Sequence, residues 1–530
     1  MKLSNVFKYI FIIFAIGIIV YAGYRIYKTQ NTQQNNTEEP NTVAEENIIK
    51  DIRLALTNYD TMNPLITSNK EILNIDTLIF EPLFTLTQNY EIAPCLAKEC
   101  AKTGNNIYVI KLKEGVVWQN GNPFTAEDVK FTIETINQGN SIYKYNTSHI
   151  TNIEVVDTNT VKLTLDADVP FFVYNLIFPI VSSAYYQGED FYSSAKTPIG
   201  TGKFTITNIS TNNITLAKNT KYRDLENNPI KIDTIKINLY ASMGEAYNNF
   251  KMGNIDLLDT SNPNFQDYIG TIGFEKTEYS GRQFDFLSLN CEDTILQDKA
   301  VRQAISYAID KSNINSAVFN NQNYVAEYPL DYGNFLYEAN NASSGYNPEQ
   351  AKQVLQDGGW TYANNRWRKE IDGVTRTLRL KIAVDKDNQT RVAVADLIKE
   401  QLESIGMEVR VNKISKNQYN EYIGGDDYQI LLTGVYTSYS PDITYYFAPG
   451  NIEKYTNDEL FKLLQNAGMI NDSGKIKEIY QKVYNIYKED VPFIGLYRTK
   501  GMVITSSSLI GTVEANCYTS FYELNNWYRK

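Results

Sequence analysis

The sequence predicts an α/β protein of more than one lobe. Three observations lead there. First, residues 378–411 alternate strand, helix and strand: Leu378, Leu380, Ile382 and Val384 share one side of a strand, Leu397, Ile398, Leu402 and Ile405 share a helical face that stops at Gly406, and residues 407–411 resume as a strand. Second, residues 284–290 read as a short, buried, aromatic strand, after which residues 298–309 set Ala300, Val301, Ala304, Ile305, Ala308 and Ile309 on one helical face. A strand that leaves one sheet and feeds a helix in the next body is what a hinge crossover looks like. An ordinary strand–loop–helix unit inside one domain fits the same residues, and on pattern alone is the simpler reading. Asp298 and Arg302, four apart, are placed to pair on the solvent side. Third, a chain of 530 residues suggests three or so compact units.

Composition narrows the function. A net charge of −11 argues against a nucleic-acid partner, which needs a basic face. One histidine, His149, and four cysteines leave little material for a zinc, haem or iron–sulfur site, so no cofactor is expected. Tyrosine is frequent, 40 against 23 phenylalanines; composition drift accounts for most of it, and a ligand groove lined with amphipathic rings is the sharper reading.

Taken in order, the chain opens with Lys2 and Lys8 before an uncharged run over residues 9–24. That run is longer than a typical signal-peptide core and shorter than a comfortable membrane span. An uncleaved anchor over residues 1–28 is expected, with a cleaved signal peptide as the alternative; either puts the bulk outside the cytoplasm. Residues 29–47 are polar and read as a flexible tether. Ile52, Leu54 and Leu56 alternate as a strand, and Asn63-Pro64 marks a turn. Cys95 and Cys100 suit a small-loop disulfide in an exported chain, or free buried thiols. Tyr108, Ile110 and Leu112 alternate, Asn120-Gly121 signals a hairpin turn, and Thr125 with Asp128 resembles a capping box before a helix carrying Val129, Ile133 and Ile136 on one face. Gly200-Thr201-Gly202 lacks the lysine and frame of a phosphate loop and reads as a tight return. Ile206, Ile209, Ile214 and Leu216 suggest further strands, and residues 244–253 a helix before a strand entered at 254–257. Asn347 and Pro348 open a helix that Gly358-Gly359 ends. A second capping box is expected at Thr456 with Glu459, and Ile476, Ile479, Tyr480, Val483, Tyr484 and Tyr487 form another helical face.

Several segments carry a resemblance. They are Pro94-Cys95-Leu96-Ala97; the run 107–136, similar to "L-R-x-G-V-x-F-x-D-G-x-P-x-T-A-x-D-V"; Pro198-Ile199-Gly200-Thr201-Gly202; Val301-Arg302-Gln303-Ala304-Ile305 through Ile309-Asp310-Lys311; the helix opened at Pro348; and residues 491–497. In this order they resemble the extracellular solute-binding protein family 5, the oligopeptide-, dipeptide- and nickel-binding proteins of ABC importers. The resemblance implies a two-lobe, periplasmic-binding-protein-like fold of type II, with an extra subdomain inserted in the first lobe. The implied boundaries are lobe I at 48–90, 197–283 and 497–530, the insertion at 91–196, and lobe II at 284–496.

It further implies an extracytoplasmic substrate-binding protein, not an enzyme. It would capture an oligopeptide-like solute between closing lobes and deliver it to ABC permease transmembrane subunits. A monomer tied to the outer face of the bacterial membrane by its N-terminal segment is expected. An oligosaccharide binder of the same family, or an anchored receptor that senses without transport, are the alternatives. A glycosidase would need two carboxylates at a cleft, and no pattern fixes such a pair. The implied ligand contacts are Thr67, Ser68 and Asn69, then Val435, Tyr436, Thr437, Ser438 and Tyr439, with Tyr497 at the cleft rim. Ser438 stands where peptide-binding relatives place an aspartate against the peptide's amino terminus, and Val435 where they carry tryptophan. A neutral hydroxyl does not repay the desolvation of an ammonium as a carboxylate does. Peptides bound mid-chain, blocked peptides and sugars stacked on tyrosine therefore enter as candidates.

Overall fold

Two long strands that run side by side organise the molecule. In the computed structural model, which describes residues 48–530 except Pro263, 331–332, 337–344 and Asp426, Phe274–Leu289 and Phe493–Ser506 pair antiparallel from Phe274↔Ser506 to Ser288↔Phe493. The expected anchor and tether, residues 1–47, lie outside the described residues. Lys50–Arg529 make one contiguous unit. A strand of 16 residues spans roughly 50 Å, several times the usual strand. Sequence reading finds its apolar end, read as 284–290, but not its first half, where Glu275, Lys276 and Glu278 are exposed and no apolar alternation is visible. Pairing with the buried run Met502–Ile504 holds that half in the sheet.

Among the described residues the two strands sit in the middle of an 11-stranded sheet, in which the short strand Asn323–Val325 pairs only with Phe493–Ser506. On one side follow Ile430–Tyr436, Arg379–Asp385 and Glu408–Ile414; on the other Leu257–Thr260, Asp51–Thr57, Thr234–Tyr240, Asn213–Lys218 and Phe204–Ile209. Each flank keeps its own apolar core. One gathers Leu287, Val301, Ile305, Ile382, Ile398, Leu402 and Ile430; the other Ile52, Leu54, Ile72, Phe204, Ile235, Val503 and Trp527. A third core, around Ile110, Trp118, Val129, Ile133 and Leu163, belongs to a separate four-stranded sheet. In that sheet Ala97–Gly104, Ile107–Leu112, Thr160–Leu165 and Ile150–Asp157 stand in order, with the helix Ala126–Gln138 packed on it. The α/β class and the type II binding-protein architecture expected from the sequence are those observed.

The caps follow the sequence in most places. Asn347 caps Pro348–Asp357, and the Asp128 carboxylate accepts from Thr125 N at 2.9 Å. Three local expectations are corrected. The helix Asp458–Ala467 is capped by Asn457, whose side chain accepts from Leu460 N at 3.0 Å; Thr456 lies one residue too early. Asp298 and Arg302 do not pair. Arg302 is buried and donates to the carbonyls of Asp490 at 2.6 Å and Leu296 at 2.7 Å, satisfying the end of the helix Ser473–Asp490. Asp298 instead takes Lys369 at 2.7 Å and the indole N–H of Trp360 at 2.9 Å. Four-residue spacing does not reveal that a helix end lies opposite the arginine. The four cysteines are free: Cys95 is buried with its thiol turned to Glu81 at 3.6 Å, so the Cys95–Cys100 bridge is not formed. Among the described residues no helix is long and apolar enough to cross a membrane.

One buried acid sets a pH dependence. Glu453, 1% exposed, accepts from Ser288 Oγ at 3.0 Å, and burial raises its pKa from 4.5 to about 7. Between those values the folded protein holds a proton that the unfolded chain releases. Stability from this group is therefore greatest below pH 4.5, falls as pH rises to about 7, and is level above. The span is worth ~3 kcal/mol. Glu453→Gln is expected to match the parent near pH 4.5 and to melt about 3 °C higher near pH 8. A Tm difference that stays flat across that range contradicts the assignment.

Candidate functional site

A cavity of about 350 Å³ opens where four parts of the chain meet. The helix Lys70–Asp76 gives one wall. Asn69 caps it, accepting from Glu71 N at 2.8 Å, and Ile72 and Ile75 anchor it in the core. Leu73 and Asp76, three apart and so on one side of the helix, face the cavity. The four-stranded body adds Tyr143, Tyr145 and Tyr174. The crossing strand adds Arg282, and the loop after Ile430–Tyr436 adds Ser438, Tyr439 and Ser440. Tyr518 closes the set from the C-terminal segment.

Loop and strand are clamped together. Thr437 donates its N–H and hydroxyl to Arg282 O at 2.9 and 3.1 Å, and Arg282 Nε returns a bond to Thr437 O at 2.7 Å. Buried Arg498 holds the same hydroxyl at 3.0 Å. Ser438 and Tyr439 therefore leave a fixed point. Tyr439 donates to Cys517 O at 2.8 Å, faces Tyr518 edge-on at 5.7 Å, and has the Arg282 guanidinium 4.4 Å from its ring centre.

Two buried titratable groups distinguish this cavity. Asp76 is 4% exposed, and neither of its carboxylate oxygens has a hydrogen-bond partner. Burial, with the charge of Asp60 in support, pushes its carboxyl well above the usual range. Burial likewise raises the Tyr143 phenol well above its ordinary value, with Asp76 adding to it.

A second cavity, of about 720 Å³, lies on the other face of the crossing strands, since Gln283 and Asp285 line it where Arg282 lines the first. Its charges satisfy one another. Asp285 receives Arg391 Nε at 2.7 Å and Nη2 at 2.9 Å, and Tyr497 Oη at 2.8 Å; Glu278 receives Lys276 at 2.6 Å and Lys500 at 3.3 Å. Gly434 leaves room for that cluster, for a Cβ there would stand 2.0 Å from Asp285 Oδ1. The unpaired carboxylate makes the smaller cavity the stronger candidate.

The residues expected from the sequence are distributed over both faces. Ser438 and Tyr439 line the smaller cavity, Tyr497 the larger. Thr437 is buried in the clamp, Val435 packs on an aromatic core, and Tyr436 is 76% exposed. Thr67 is buried and donates to Asp60 at 2.8 Å; Ser68 N donates to the same carboxylate at 3.1 Å; Asn69 is spent as the helix cap. Sequence reasoning missed Asp76 and Arg282. The signal for Asp76 was present: an acid sharing the buried side of a short helix with Ile72 and Ile75. His149 sits half-exposed beside Asp166 at 2.8 Å. Among the described residues no group of three or more His, Cys, Asp or Glu side chains is placed to hold a metal ion.

Comparison with known proteins follows the same lines. The family of bacterial extracellular solute-binding proteins, family 5 Middle, matches residues 91–454, more than half of the chain. The oligopeptide-binding protein AppA of Bacillus subtilis is 23% identical over 493 residues, 88% of this chain and 89% of that protein. Among solved structures, HbpA2 from Haemophilus parasuis superposes with a TM-score of 0.77 at 20% identity, covering 91% of this chain and 100% of that one. Bacillus subtilis AppA in complex with a nonapeptide superposes with a TM-score of 0.57 at 21% identity, over 91% of this chain and 100% of that one.

Proposed function

The chain belongs to the bacterial extracellular solute-binding proteins of family 5, and from that premise we propose that it is the extracytoplasmic substrate-binding protein of an ABC importer, capturing an oligopeptide-like solute. The observation that carries this is the smaller cavity, walled at once by the helix Lys70–Asp76, the four-stranded body, the crossing strand and the loop 438–440. A solute there touches parts of the chain that belong to different cores. Contacts made from both flanks exist only when the flanks are together, so the solute favours the closed form. A swing from 1:99 to 99:1 takes about 5.5 kcal/mol of differential binding. Ser438 and Tyr439 are the ligand contacts in this reading, and an extended peptide supplies main-chain hydrogen bonds besides. The similarity to an oligopeptide-binding protein and to a structure in complex with a nonapeptide supports the solute class. We place the protein as a monomer held at the outer membrane face by its N-terminal segment, with permease subunits as its partners.

A mixture of short peptides at a hundred times the Kd is expected to raise Tm by about 3 °C. Maltotriose is expected to leave it unchanged. A shift with the sugar and none with peptides would falsify the solute class.

A further inference from the structure

We propose that the larger cavity, on the face of the crossing strands opposite the proposed solute site, binds a small dianionic oxyanion, a phosphate group, on Lys276 and Lys500. The proposal concerns a different face and does not depend on the solute reading. Every charge in this cavity has a partner, but the count is uneven. Among the described residues that line it, three cations, Lys276, Arg391 and Lys500, meet two acids, Glu278 and Asp285. Asp285 is taken up by both arms of Arg391, at 2.7 and 2.9 Å, so that pair is neutral. Glu278 is left to answer two ammonium groups, Lys276 at 2.6 Å and Lys500 at 3.3 Å. One positive charge remains over, in a chain whose net charge is −11.

Lys500 marks the place. Its side chain is 18% exposed, and besides the long contact to Glu278 its ammonium lies 4.6 Å from the centre of the Tyr324 ring. An ammonium carries three donors and is strongly hydrated in water, so a shared carboxylate and a ring face do not use it fully. Lys276 reaches the same carboxylate from the other crossing strand. An oxyanion between the two ammonium groups draws on both as point charges, which is how lysine holds phosphate. The helix Gln389–Ser404 adds to the field. Its cap Asn388 and its first turn line the same cavity, and the N-terminus of a 16-residue helix is its positive end. A volume of about 720 Å³ exceeds what a bare ion fills, and the amides of Gln266, Asn320, Asn321 and Asn323 around it suit hydroxyl groups. The shared chemistry is therefore phosphate, free or carried on a small polar ester.

The test is isothermal titration calorimetry on the full chain, with inorganic phosphate and glycerol 3-phosphate as probes and ionic strength held by sodium chloride. Saturable one-site binding is expected. A tighter glycerol 3-phosphate identifies an ester as the occupant, and equal affinities identify the free ion. Lys276→Gln, at the more exposed ammonium, and Lys500→Gln are each expected to weaken binding about tenfold. Lys500→Arg keeps the charge and is expected to retain most of the affinity, and Tm confirms that each variant folds. Glu278→Gln removes the competing carboxylate and is expected to tighten binding about tenfold. That opposite sign separates a ligand site from a structural cluster, in which loss of Glu278 would only destabilise the fold. The proposal is overturned if neither probe binds, if both Lys→Gln variants bind as the parent does, or if Glu278→Gln leaves the affinity unchanged or lower.

Discussion

Replacing Gly200 with alanine is expected to cost roughly 4 kcal/mol and to leave much of the protein misfolded. A Cβ at this position would stand 1.8 Å from the carbonyl oxygen of Ile79 and 2.6 Å from its carbon. Both are backbone atoms, so no side chain can swing aside. The junction cannot yield easily either. Gly202 N donates to the same Ile79 carbonyl at 2.9 Å, Gln119 N donates to Gly200 O at 3.1 Å, and Thr201 donates to Glu81 at 2.8 Å. Glu81 in turn receives Arg223 at 2.5 and 2.8 Å. Here the four-stranded body returns to the large sheet, and the two main chains touch. Gly244→Ala is the control, since the nearest atom to its added Cβ is 3.8 Å away. The expected result is a fall in Tm of at least about 4 °C, or insoluble protein, for Gly200→Ala and little change for the control. Equal melting of the two variants would show that the two main chains do not approach this closely.

Removing Arg391 is expected to cost about 3 kcal/mol, the low end for a buried pair broken on one side. Asp285, on one crossing strand, is 3% exposed and takes both arms of Arg391 from the first turn of the helix Gln389–Ser404. Tyr497, on the other crossing strand, donates to the same carboxylate at 2.8 Å. Three elements meet in one charge cluster. In Arg391→Ala the carboxylate keeps Tyr497 and Gln283 as donors but loses its counter-charge. The double variant Asp285→Asn, Arg391→Ala removes both charges and is expected to melt above Arg391→Ala alone. The coupling between the two positions is expected to be about 2 kcal/mol. Additive losses would mean that the pair contributes nothing beyond its separate packing.

Much of the local order was legible in the residues. The apolar periodicities of 378–411 and 298–309, the caps at Thr125 and Asn347, and the stop at Gly406 rest on contacts within a few residues. Such signals are written in neighbouring letters. Where they failed, a partner distant in sequence decided the outcome. Arg302 turned from its expected solvent-side pair because a helix end at Asp490 lay opposite. The strand at Phe274–Leu289 extended through polar residues because Phe493–Ser506 ran beside it.

The sequence by itself determined the α/β class, the family, and most helices and strands, because burial periodicity and capping chemistry act over one or two turns. Tertiary structure alone decided which residues line the candidate cavity. Ser438 and Tyr439 were expected, yet Asp76 and Arg282, the titratable groups of the same cavity, were not, and Tyr497 went to the opposite face. An unpaired buried acid is defined by what fails to come near it, and that is settled only once every distant segment has taken its place.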